Sequence, residues 1–236
     1  LVFPLQQTGL FPALHPLGAL VIDQAGILGI QVAIGLDRLG VDHQLARGAL
    51  GDAHRAVGGA EQVQARIPGF GRKLFEFLSP LYPDASKDQM RLIKAACLLH
   101  DTTWRAHPDF RAEACFDNAT RANLGGLDHP GRVFLGLALL HRYKNSRAGS
   151  RLEPMFRLLT EEDIRDAEVL GKAMRFGAMF AMGDPGIAGT LDWQPRKRIL
   201  ELALTEIGRG LFGEVAQARF ASLALALKAT PLVTDA

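Results

Sequence analysis

Cysteine is scarce, with only Cys97 and Cys115 among 236 residues. Two thiols so far apart exclude a disulfide scaffold and a CxxC metal or redox motif, and a reducing cytoplasm is the expected compartment. Long apolar runs are missing too: the most apolar stretch, Leu17 to Leu36, is broken by Asp23, Gln24 and Gln31. Neither a membrane span nor an export signal is expected from it. Charge of one sign is not in excess. The 27 Lys+Arg against 25 Asp+Glu leave a net +2, too even for a protein that coats nucleic acid through many phosphate contacts, so any anion site must be local. What the chain does have is 48% hydrophobic residues with 22% charged, enough for a packed core and far from the composition of disorder.

Lysine is absent before Lys73, and glycine recurs through the same segment. Each interior glycine costs a helix about 0.8–1 kcal/mol relative to alanine, so Gly26, Gly29, Gly35 and Gly40 oppose helix formation there. His15, His43 and His54 have no mutually supporting spacing. Residues 1–65 therefore read as an irregular extension, or an off-frame reading of a GC-rich gene, and not as a domain.

Regular signals begin at about Arg66. Ser86 with Gln89 and Thr160 with Asp163 have the spacing of capping boxes. Leu92, Ala95, Ala96 and Leu99 recur at the period of one buried helical face. Helices are predicted over residues 87–101, 110–121, 130–142, 160–182 and 213–228. Gly189 to Trp193 and Lys197 to Leu204 read as two extended runs about a basic turn at Gln194 to Arg196. The fold class is mainly α: a helical bundle over residues 66–187, then a small α+β region over 188–236.

Chemistry concentrates at His100 and Asp101, an adjacent pair at the end of an apolar helix. Imidazole nitrogen and carboxylate oxygen side by side suit a divalent ion that activates water against a phosphoester, the arrangement of HD-type phosphohydrolases. Such a site needs further ligands. No histidine lies between Arg66 and Lys94, and the later helical stretch over residues 174–182 contains no acid and is followed by none until Asp184. No catalytic residue and no metal are expected, and a metal site on His100 and Asp101 is the competing reading; His107, His129, His141 or Asp184 would have to converge on the pair to rescue it.

A second feature is the stretch from Pro130 to Leu152, which contains no acid but carries Arg132, Arg142, Lys144, Arg147 and Arg151. Arginine forks and lysine point charges in such a run can follow a polyanion; a solvated helix end is the plain alternative. Trp104 and His107 read as structural, with His107 orienting the turn into the helix after Pro108. Met174, Met179 and Met182 read as core packing.

The strings Ala95-Ala-Cys-Leu-Leu-His-Asp101, Trp104-Arg-Ala-His-Pro-Asp-Phe-Arg111 and Leu127-Asp-His-Pro-Gly-Arg132, followed by Leu139-Leu-His-Arg-Tyr-Lys144 and Arg175-Phe-Gly-Ala178, resemble the C-terminal helical, HD-like region of alphaproteobacterial exopolyphosphatase/guanosine pentaphosphate phosphatase (Ppx/GppA) proteins. The resemblance runs from about Arg66 to the end. It implies an HD-domain-like bundle whose metal site is commonly degenerate, polyphosphate or guanosine pentaphosphate as partner, and a homodimer. In that family phosphoanhydride hydrolysis, with Mg2+, belongs to actin-like domains that nothing in this sequence matches. The resemblance thus implies an accessory, polyanion-binding module that needs no cofactor of its own. A purely structural dimerisation domain is the further alternative.

Overall fold

The computed structural model describes residues 66–122, 124, 126–148 and 151–236; the reading of residues 1–65 falls outside them. Five helices form the larger part: α1 (Phe70–Leu78), α2 (Lys87–Leu99), α3 (Pro108–Arg121), α4 (His129–Tyr143) and α5 (Glu161–Phe180). A three-stranded sheet and two helices follow: β1 (Gly189–Gln194), β2 (Ile199–Leu204), α6 (Glu206–Leu211), α7 (Glu214–Ala226) and β3 (Thr230–Asp235). The fold is mainly α with a small C-terminal α+β region, as the sequence predicts.

Local chemistry sets the helix starts. Ser86 Oγ accepts from Gln89 N at 3.2 Å while Ser86 N donates to Gln89 Oε1 at 2.8 Å, so two otherwise orphaned donors at the head of α2 are satisfied together. Thr160 and Asp163 do the same for α5. Asp128 accepts from Gly131 N at 2.8 Å ahead of Pro130 in the first turn of α4. Helix α3 starts two residues before its predicted position, because His107 Nδ1 accepts from Asp109 N at 3.3 Å and Pro108 takes the first helical position, where its missing N–H costs nothing.

Helix α4 is the axis of the core. Its residues Val133, Leu135 and Leu137 through Leu140 are buried, and α3, α5 and α2 pack around it. Helix α5 comes close at Gly171: a Cβ there would run into the Cβ of His141 and lie 2.5 Å from the carbonyl oxygen of Ala138. Helix α5 also packs on α7, and the joint is aromatic, with Phe176 5.3 Å from both Phe180 and Phe220, ring centre to ring centre. One core therefore runs from the bundle into the C-terminal region.

Strands β1 and β2 pair antiparallel from Gly189↔Leu204 to Gln194↔Ile199, with the basic turn of Arg196, Lys197 and Arg198 exposed between them. Strand β3 pairs parallel to β2, Ile199↔Thr230 through Leu204↔Asp235. Neither β3 nor the short α6 was predicted. Pro231 and the absence of an alternating pattern hide β3, and its edge position in the sheet is where a proline is tolerated. Among the described residues no helix is long and apolar enough to cross a membrane.

Candidate anion site

The end of α2, the first turn of α3, the end of α4 and the last third of α5 meet around a cleft of about 500 Å³ whose wall includes His100, Asp101, Arg111, Arg142, Tyr143 and Arg175. His100 is buried, with Nδ1 2.8 Å from the carbonyl oxygen of Cys97 and its ring 5.2 Å from that of Phe70. Facing a carbonyl, Nδ1 carries the proton and Nε2 is left as the acceptor. Burial, then the Arg142 charge, push the His100 imidazole down to about 3. It is neutral at physiological pH.

Asp101 is held by Tyr143, whose hydroxyl lies 3.2 Å from Asp101 Oδ1 and 2.9 Å from the carbonyl oxygen of His100. The sequence suggests backbone or Arg105 as partners for Asp101; Arg105 instead lies over the Trp104 ring, 4.7 Å from its centre. Arg111 staples the turn after α2 to α3, donating through Nη2 to the carbonyl oxygens of Trp104 at 2.6 Å and Ala106 at 3.0 Å. Beneath the turn, Thr103 Oγ1 sits 2.7 Å from Cys115 Sγ, and burial pushes that thiol up to about 12. Cys115 is an inert core residue.

A divalent cation does not fit this cleft. The histidines and the acid that would complete a metal site lie elsewhere: His107 caps α3, His129 is exposed at the head of α4, His141 is buried against α5, and Asp184 pairs with Lys73 at 3.1 Å. Among the described residues no three His, Cys, Asp or Glu side chains gather where they could hold a metal ion. Four arginines, Arg66 included, line the cleft against the single carboxylate of Asp101, which repels a dication.

The five basic residues of the acid-free run do not form one strip. Arg132 and Arg142 are ten residues apart on α4, about 15 Å along its axis, and Arg132 donates to the carbonyl oxygens of Leu127 and Leu124. Lys144 and Arg151 come together on Glu113, at 3.4 and 3.1 Å, and Arg151 also reaches Asp117 at 3.0 Å. The Arg151 hydrogen bond is the main reason the Glu113 carboxyl sits below its usual range. Arg147 borders a different cleft, where Glu153, Glu161 and Glu168 supply acid. Only Arg142 enters the cationic cleft.

Sequence reasoning missed Arg111, Tyr143 and Arg175 as cleft residues. A signal for Arg175 was available: it is the sole charged residue between Ala173 and Met182, and a lone cation in an apolar helical run is there for a reason other than solvation.

Residues 61–231 match the family model described as exopolyphosphatase, C-terminal. No curated protein matches the chain.

Proposed function

Because the chain belongs to the exopolyphosphatase C-terminal family, we propose that it is the polyanion-binding accessory module of a Ppx/GppA-type exopolyphosphatase, holding polyphosphate or guanosine pentaphosphate and supporting a homodimer in the cytoplasm. Phosphoanhydride hydrolysis is assigned to actin-like domains of the family and not to residues of this chain.

The observation that carries the reading is the basic surface around the end of α4. Arg142 lines the cationic cleft, Lys144 and Arg151 share Glu113, and Arg147 borders a separate cleft, so a polyanion would be held by separate cations and not by one strip. The carboxylates that occupy Lys144 and Arg151 do not prevent this. Exposed ion pairs are worth about 0–1 kcal/mol, so a phosphate chain can displace them.

Equilibrium binding of long-chain polyphosphate tests the reading. Removing Arg147 and Arg151 together (Arg147→Ala with Arg151→Ala) is expected to weaken binding by about tenfold, since each lost charge-assisted contact is worth roughly 1.5–3 kcal/mol less the pairing it already had. The control is Arg196→Ala with Arg198→Ala in the exposed β1–β2 turn, expected to have little effect. Equal losses from both pairs show only nonspecific attraction, and no loss from the first pair removes the loop from the binding surface.

A further inference from the structure

Three clefts among the described residues differ in sign. The one beside α2 and α4 is rimmed by Asp88, Asp128, Asp163 and Asp166 with Arg91 as the lining cation, and the one that Arg147 borders holds two arginines against three glutamates. The third holds four arginines against Asp101. Two of its guanidinia are partly held, Arg111 by the carbonyl oxygens of Trp104 and Ala106 and Arg175 through Nη1 by Asn145 Oδ1 at 2.8 Å, yet buried donors remain. Arg142 is 9% exposed, and its Nε is buried with no hydrogen-bond partner among the described residues; the same holds for the Nε of Arg111 and of Arg175. A buried guanidinium donor left unpaired is costly, and a cluster of them calls for acceptors supplied from elsewhere. Burial, then the charges of Arg219 and Arg142, lower the Arg175 guanidinium from its ordinary range, so the cations are close enough to repel one another.

We propose that this cleft receives the terminal phosphoryl group of a polyanion, with Arg142 and Arg175 as its guanidinium partners and Asp101 as the charge that opposes it. The identity of the polymer rests on the function proposed above; the pocket does not. A terminal phosphoryl group brings three acceptor oxygens and nearly two negative charges to one point near neutral pH, whereas an interior phosphate of a chain brings one charge. Planar forks match its oxygens two at a time. The turn that Arg111 pins and the Tyr143 hydroxyl that faces Asp101 fix the wall, so the pocket is formed before the anion arrives.

Tripolyphosphate and guanosine triphosphate, titrated calorimetrically into the full chain at low salt, are the probes. Arg175→Gln is expected to weaken tripolyphosphate by about tenfold or more. Asp101→Asn is expected to tighten it by roughly fivefold, the effect of removing one like charge across a solvated gap; a variant that merely unfolded could not gain affinity. Tighter tripolyphosphate than guanosine triphosphate assigns the pocket to the end of a polymer, and the reverse order to a nucleotide. If both variants bind tripolyphosphate as the unaltered chain does, the pocket is overturned, and the accessory function survives if long-chain polyphosphate still depends on Arg147 and Arg151. If tripolyphosphate shows both shifts while long chains do not bind, the pocket stands and the polymer-binding function falls. Binding of neither overturns both.

Discussion

Replacing Gly171 by alanine is expected to destabilise the protein by about 2–4 kcal/mol. Elsewhere in an exposed helix the same change stabilises by about 0.8–1 kcal/mol. Here the sign reverses, because the new methyl would meet the Cβ of His141 and the Ala138 carbonyl. Both belong to the backbone track of α4, so relief requires moving one helix away from the other. Overpacking of that kind costs roughly 1–3 kcal/mol, and more where the obstacle is backbone. Loosening the α4–α5 contact also reaches the cleft, since Arg142 and Arg175 ride on these two helices. Thermal unfolding should show a midpoint lower by about 5–10 °C. An unchanged midpoint would mean that α4 and α5 are not in close register at this point.

Acid should weaken the fold before its carboxylates titrate. His100 and His141 are both buried, and burial pushes their imidazoles down to about 3 and about 4. The unfolded chain takes up these protons near pH 6.5, where the native state refuses them, so protonation favours unfolding as pH falls. The contribution is complete above about pH 6.5 and is lost progressively toward the folded values. Between pH 7 and pH 5 each imidazole should remove about 2 kcal/mol of stability. His100→Asn keeps a donor for the Cys97 carbonyl but does not titrate. Urea midpoints for this variant should change less between the two pH values than those of the unaltered chain, and parallel profiles would show that His100 is charged in the native state.

What was readable in the sequence was local. Ser86 with Gln89 and Thr160 with Asp163 each settle a helix start within three or four residues, so spacing alone found α2 and α5 to within a residue or two. The β1–β2 pair was equally local. Strand β3 was not, because its partner β2 precedes it by some thirty residues and α6 and α7 intervene. The same holds for charge. The stretch from Pro130 to Leu152 looks unopposed along the chain, yet α3 brings Glu113 and Asp117 against Lys144 and Arg151. The cleft draws Arg111, Arg142 and Arg175 from three helices, and no motif spans them. His100 and Asp101 were conspicuous as neighbours, but what surrounds them comes from elsewhere in the chain: Arg66, Arg111, Arg142 and Arg175 line the same cleft.

Whether this family member binds a phosphate polymer is decided by the dissociation constant of long-chain polyphosphate at two ionic strengths. Binding that is measurable at about 50 mM salt and weakens at least roughly tenfold by about 200 mM is the predicted result, by analogy with counterion release from nucleic acids. No binding at the lower salt, or an affinity indifferent to it, would contradict the account.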